Sequence, residues 1–263
     1  MTATVIIRSA PNLRDMGDHM TQTGGRIRTG LLYRSENLGR LSDQDLASLA
    51  ALGLAKIYDL RTAGEIAEQP DRLPAGAEHM VVDVLAGEKR AAPAELLHLL
   101  SNPQEANARL GGGKVKDLFT QSYREFVSLP SARTGFATLF TEFAGARNLP
   151  ALFHCTTGKD RTGWAAAALL TLCDVPYEDV LRDYLVSNNF ILPEYQELIN
   201  IYTTKGVDEE ILQSVLGVRK EYLESSFAEV RDCFGDIEGY FRIGLGIGPD
   251  EQQALREMFI EFE

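Results

Sequence analysis

Ten residues constrain this chain more than any others: His154-Cys155-Thr156-Thr157-Gly158-Lys159-Asp160-Arg161-Thr162-Gly163. The short apolar run Ala151-Leu152-Phe153 precedes them, and the helix-forming run Trp164-Ala165-Ala166-Ala167-Ala168-Leu169-Leu170 follows. This order predicts a strand, a tight loop and a helix. A loop in that setting can trap an anion, because its backbone N–H groups curl into a concavity and the helix N-terminus adds partial positive charge. Gly158 allows the loop its turn.

Cys155 and Arg161 bracket the loop with five residues between them. A cysteine ringed by N–H donors, beside a helix start and a guanidinium, is expected to ionise below the usual ~8.5. Its thiolate could attack phosphorus and carry the phosphoryl group covalently. Arg161 offers a planar fork to two phosphate oxygens, which a lysine cannot match. Thr162 is placed to hydrogen-bond the leaving sulfur, and His154 to orient the loop from behind. Thr156, Thr157, Gly158, Lys159, Thr162 and Gly163 are expected to line the anion site. The competing reading is a half-buried cysteine at a strand end with an arginine nearby by chance; the flanking His, Gly and Thr-Gly argue against it.

The decapeptide resembles the loop of the atypical bacterial tyrosine and phosphoinositide phosphatases of the PtpB type, His-Cys-x-x-Gly-Lys-Asp-Arg-Thr-Gly, at every fixed position. Lys159 and Asp160 separate that branch from ordinary tyrosine phosphatases. The resemblance implies metal-independent hydrolysis of phosphomonoesters, on phosphotyrosine, phosphoserine/threonine or phosphoinositides. It also implies that Asp160 is the proton donor. No Trp-Pro-Asp segment exists, and Asp160 is the carboxyl nearest in sequence to the reacting phosphate; a salt bridge that stiffens the loop is its alternative role. Lys159 is either a second cation for a second phosphate or a charge that favours the thiolate. A silent phosphate reader is the alternative function, although a reader needs neither Cys155 nor Asp160. A sulfurtransferase does not ask for Asp160 or Arg161 in these places.

Upstream, Pro11 to Gly17 is polar and turn-prone. The family carries Asn-x-Arg-Asp here, which makes Asn12, Arg14 and Asp15 site candidates; Asp18 stands where relatives often have a second glycine. Gly24-Gly25 reads as a hairpin turn before a strand at Leu31-Leu32-Tyr33. Ser42 is a good N-cap for a helix over Asp43–Leu52 stopped by Gly53. The strand Ala55 to Leu60 ends in Asp59-Leu60-Arg61, and ligands gather at the carboxyl ends of strands in open α/β sheets. Asp59 and Arg61 are either a structural ion pair or, as the family's Asp-Leu-Arg motif implies for Asp59, part of the pocket. Glu65 to Pro74 reads as a short helix and turn, and Met80 to Val82 as a strand. From Leu85 to Leu129 the pattern is helical with a break at Gly111-Gly112-Gly113. Residues 88–127 could form a lid, as family members have here, with Tyr123 and Phe126 as its aromatic contacts, or a peripheral helical pair. Ser131 to Ala146 is an amphipathic core helix, and residues 177–263 read almost wholly as helices.

With 263 residues and 44% hydrophobic content the chain can bury one sizeable core, so a single domain over 1–263 is expected. The fold class is α/β: a mainly parallel sheet with helices on both faces and a helical C-terminal third. A net charge of −12 argues against nucleic acid or an anionic membrane as a partner; the resemblance implies a phosphorylated protein or a phosphoinositide instead. The three cysteines give no disulfide framework and fit a reducing compartment. No signal peptide or membrane span is visible, which points to the cytoplasm, with leaderless export open. No set of His, Cys, Asp and Glu shows metal-ligand spacing, and no cofactor is expected.

Overall fold

A computed structural model describes residues 7–87 and 99–262. Its centre is the strand the decapeptide predicts, β6 (Ala151–His154), in a five-stranded sheet. The other strands are β1 (Arg14–Asp15), β3 (Leu32–Ser35), β4 (Lys56–Asp59) and β5 (Glu78–Val81), in the order β1-β3-β6-β4-β5. All pairs are parallel except β1 with β3. Tyr33, Leu152 and Ile57 share one register row, and Ser35, His154 and Asp59 form the last row at the carboxyl edge. β3 thus ends two residues later than its apolar run suggests, because Arg34 and Ser35 continue the pairing. β2 (Arg26–Ile27) joins the C-terminal β7 (Ile260–Glu261) in a separate two-stranded sheet.

Alternation along the strands explains why helices cover both faces. Ile57 and Leu152 point into a small core with Leu38, Leu41, Leu49 and Leu54, roofed by α1 (Asp43–Ala50). Tyr58 and Phe153 point into the large core on the other face. Helix α1 is shorter than expected: Ser42 caps it by accepting from the Asp45 amide, but the chain turns at Gly53, whose φ is +63°.

The large core is built on α6 (Arg161–Leu172), which starts directly from the loop. Its Ala/Leu run favours helix and is apolar all round, so it lies buried inside a layer of helices. After the short α2 (Ala63–Glu68) and α3 (Pro103–Leu110) come α4 (Lys114–Ser128) and α5 (Pro130–Phe143). The C-terminal third supplies α7 (Tyr177–Glu194), α8 (Gln196–Thr204), α9 (Glu209–Leu216), α10 (Lys220–Phe234) and α11 (Pro249–Phe259). Its helical reading holds except for β7, which is too short to show a period of its own.

The segment 88–127, expected as a lid, divides. Residues 88–98 lie outside the described residues. Helix α4 buries Val115, Phe119, Tyr123, Phe126 and Val127, and Phe119 stacks on Tyr222 of α10 at 5.0 Å. That half is a core element, since opening it would expose five apolar or aromatic side chains to water. Among the described residues no helix is long and apolar enough to cross a membrane.

Candidate active site

The loop from Cys155 to Asp160 leaves the carboxyl edge of β6 and is held from outside by its carbonyls. Thr156 O accepts from the Asn37 amide at 3.2 Å and from Asn37 Nδ2 at 2.8 Å. Thr157 O accepts from Asn12 Nδ2 at 3.0 Å, and Gly158 O from Arg34 Nη2 at 2.9 Å. Three successive carbonyls are therefore drawn outward, which leaves the opposite side of the loop to its amides. Gly158 has φ +66°, and a Cβ there would lie 2.3 Å from Ser35 O, so the close approach of β3 requires glycine.

A second ring of charges fixes those clamps. Asp183 on α7 accepts from Arg34 Nη1 (2.7 Å) and Arg14 Nε (2.9 Å), and Arg14 Nη1 reaches Asn12 Oδ1 at 2.6 Å. Burial would raise the Asp183 carboxyl, but the two guanidinium charges outweigh it and bring it to about 2. Burial and the neighbouring Arg14 lower Arg34 to about 10, so it stays charged at neutral pH. Asn12 and Arg14 thus brace the loop rather than line its cavity. Asp15 does neither: its carboxylate accepts from the Gly17 and Gly30 amides at 2.7 and 2.6 Å and ties down the turn around β1.

Arg161 is 4% exposed and is gripped at its fork by Glu65 of α2, Nη1 to Oε2 at 2.8 Å and Nη2 to Oε1 at 2.5 Å. Thr156 Oγ1 donates to the same carboxylate, and Leu60 O accepts from Nη1 at 3.2 Å. Burial would raise Glu65, yet the hydrogen bonds and charge of Arg161, with Thr156 and the Thr62 amide, hold it at about 2. Glu65 also closes the capping box of α2 with Thr62, so one carboxylate both starts the helix and holds the arginine. Cys155 is 1% exposed, and the hydrogen bonds from Arg161 to Glu65 raise the proton affinity of the guanidinium against burial.

Asp160 Oδ1 accepts from Tyr123 Oη at 2.9 Å, and its Oδ2 lies 3.5 Å from Lys159 Nζ. Lys159 itself turns away from the cavity. Its ammonium donates to Val215 O (2.8 Å) and Gly217 O (2.9 Å), sits 5.2 Å from the Phe119 ring centre, and is 3% exposed. Those donors serve the end of α9. Thr162 Oγ1 is buried without a hydrogen-bond partner among the described residues. Gly163 lets the Tyr184 ring approach, since a Cβ would lie 3.1 Å from it.

Behind the loop, His154 Nδ1 faces Cys155 O at 3.2 Å and its Nε2 lies 3.2 Å from Asp71 Oδ2. Asp59 is fully buried, with its two oxygens 2.8 and 2.7 Å from Arg61 Nε and Nη2. Arg61 Nη2 also reaches Asp71 Oδ2 at 2.6 Å. The ion pair of Asp59 and Arg61 is thus formed. Asp59, Asp71, His79 and His154 bring ligand atoms within 4.8 Å of one another, a grouping the dispersed sequence positions hide. The Arg61 guanidinium donates to both carboxylates of that group.

Sequence reading missed Glu65, Arg34, Asn37, Asp71 and Asp183. Arg34 and Asn37 lie at the carboxyl end of β3 as Asp59 lies at that of β4, so the carboxyl-edge rule could have found them. Asp71 and Asp183 carry no local signal.

The pattern of the tyrosine phosphatase family matches residues 5–261. The chain belongs to that family, which agrees with the mostly parallel sheet, the loop and its arginine. A Cupriavidus necator protein with a provisional tyrosine-protein phosphatase name is 32% identical over 247 residues, covering 90% of this chain and 82% of that protein. The Mycobacterium tuberculosis triple specificity protein phosphatase PtpB is 30% identical over 274 residues, covering 95% and 96%. A tyrosine-protein phosphatase of Nostoc commune is 31% identical over 235 residues, covering 85% and 72%.

Proposed function

We propose that the protein hydrolyses phosphomonoesters through a phosphocysteine intermediate, with phosphotyrosine in proteins as the main substrate. One observation carries the reading: Asn37, Asn12 and Arg34 draw three consecutive loop carbonyls outward around Cys155. The amides left facing inward stabilise charge on the equatorial oxygens as it develops. Arg161, whose Nη1 and Nη2 are braced end-on by Glu65, presents the edge that carries Nε to those oxygens. Amides and guanidinium supply the charge stabilisation, so the step needs no metal.

The Cys155 thiolate attacks phosphorus; the P–S bond forms as the P–O bond to the leaving group breaks. Asp160 gives its proton to the departing oxygen. Water then attacks phosphorus, its proton passes to Asp160, and the P–S bond breaks with its electron pair returning to sulfur. The family supports phosphotyrosine, and a relative named a triple specificity protein phosphatase supports a wider range; phosphoserine/threonine and phosphoinositides enter that range through the resemblance of the loop. Selection for a second phosphate does not rest on Lys159, whose donors are committed to two backbone carbonyls.

Two variants test the reading. Cys155→Ser should abolish turnover while still binding a phosphotyrosine peptide, because the anion site survives without its nucleophile. Asp160→Asn should slow an alkyl phosphate by about 10²–10³-fold and an activated aryl phosphate far less. Ready hydrolysis by Cys155→Ser would remove the covalent mechanism.

A further inference from the structure

Two buried tyrosine hydroxyls form a chain that ends on Asp160. Tyr184 Oη of α7 donates to Tyr123 Oη of α4 at 2.6 Å, and Tyr123 Oη donates to Asp160 Oδ1 at 2.9 Å. Tyr123 is 0% and Tyr184 1% exposed, and their rings meet edge to face at 6.1 Å. A phenol has one proton to donate. Because Tyr123 oxygen accepts from Tyr184, its own proton is directed to the carboxylate. Burial raises both phenols well above 10, after which the Asp160 charge adds to the effect, so both stay protonated wherever the enzyme works.

We propose that Tyr123, aimed by Tyr184, is a positioning residue for proton transfer: it holds one oxygen of Asp160 so that the other carries the transferred proton. The inference rests on the reading of Asp160 as proton donor. In the first step the proton leaves Asp160 for the departing oxygen, and the electron pair of the O–H bond remains on the carboxylate. The Tyr123 hydrogen bond strengthens at that moment, because its acceptor becomes charged. In the second step the carboxylate takes a proton from the attacking water and the bond relaxes. Tyr123 keeps its own proton throughout. The remaining charged and titratable groups that face Asp160 are Lys159 at 3.5 Å, Arg161 and Tyr222. Lys159 is anchored on α9 carbonyls, which leaves the tyrosine pair as the directional donor.

The pair also explains a structural cost. Two phenols fully removed from water are placed where apolar rings would pack without needing partners. Tyr123 is tied further to α10, whose Ser226 Oγ donates to Tyr123 O at 2.7 Å. Helices α4, α7 and α10 thereby converge on one carboxyl oxygen.

The experiment compares Tyr123→Phe, Tyr184→Phe and Asp160→Asn on an alkyl phosphate and an activated aryl phosphate across pH. Tyr123→Phe should lower kcat/KM about tenfold for the alkyl substrate and about twofold for the aryl one, as loss of one hydrogen bond to a charged group predicts. The limb of its pH profile that reports the protonated acid should move to higher pH, since the carboxylate has lost a donor that favours it. Tyr184→Phe should move both readouts the same way by less, and it carries the test if Tyr123→Phe does not fold. Adding Tyr123→Phe to Asp160→Asn should cause no further leaving-group-dependent loss. Equal losses on both substrates with an unmoved limb, or additive losses in the double variant, would overturn the inference. If Asp160→Asn itself shows no leaving-group dependence, the acid assignment fails first and is seen to fail separately.

Discussion

Glu65→Gln isolates the brace on Arg161. The substitution keeps the length and shape of the side chain and the ring of contacts around α2, but removes the charge. A carboxyl held at about 2 rather than its ordinary 4.5 has its charged form favoured by about 3 kcal/mol. At 12% side-chain exposure little of that is screened away. The amide of glutamine also turns an NH₂ toward the Arg161 donors, so one of the two bonds at 2.8 and 2.5 Å becomes a donor–donor contact. If between half and nearly all of the 3 kcal/mol is felt where Arg161 meets the transition state, kcat/KM falls about 10–100-fold. Steady-state kinetics on an aryl phosphate and a phosphotyrosine peptide would measure this, with thermal unfolding as the control for folding. Glu65→Asp, which retains charge but loses reach, should lose nearly as much. The pH dependence has a definite sign. A depressed carboxyl contributes stability that is present above 4.5 and lost as pH falls through 2. The brace is therefore intact across the neutral range, and any acid limb above pH 4.5 should survive in Glu65→Gln. A folded Glu65→Gln with kcat/KM within twofold of the parent would refute the positioning role.

Lys159→Met should cost about 2–4 kcal/mol of stability, because two charge-assisted bonds to Val215 O and Gly217 O are lost. Its turnover should fall by the same factor on a phosphoinositide and on an aryl phosphate; a selective loss on the phosphoinositide would return Lys159 to the pocket. Gly158→Ala should lower the unfolding midpoint by at least about 4 °C and nearly abolish turnover, since a left-handed residue with a Cβ costs about 1–2 kcal/mol before the 2.3 Å clash with Ser35 O is counted. Burial, opposed by its backbone hydrogen bonds, pushes the Glu36 carboxyl up to about 7. A raised carboxyl favours the native state below 4.5, and this contribution declines as pH rises from 4.5 through 7. Glu36→Gln should accordingly raise Tm at pH 8 and leave it unchanged at pH 4; the opposite pattern would show that Glu36 is not held protonated.

The catalytic loop was legible because its parts are local: strand, turn glycine, helix start, cysteine and arginine lie within one decapeptide. Its supports were not. Glu65 is 96 residues from Arg161, Asn37 is 119 from Thr156 and Arg34 is 124 from Gly158. A Thr62-x-x-Glu65 pattern reads as a helix cap, and nothing local announces that the same carboxylate also holds an arginine. Lys159 shows the converse. Its place in the motif is plain, but its direction is set by two carbonyls 56 and 58 residues away. The helical third was readable from periodicity, whereas β1, β2 and β7 have two residues each and too little alternation to register. The lid reading took the triple glycine as a hinge between amphipathic segments; the apolar face of α4 packs on α10, and Tyr123 extends from it to the loop.

The most direct test of the mechanism is to trap its intermediate. The protein is mixed with a fast aryl phosphate, quenched with denaturant within the first turnover, and digested for mass spectrometry and phosphorus NMR. The account predicts one phosphoryl group bonded to the Cys155 sulfur, formed at the rate of the product burst and absent from Cys155→Ser. Full product release in the first turnover with no phosphorus on Cys155, or with phosphorus on another residue, would contradict it.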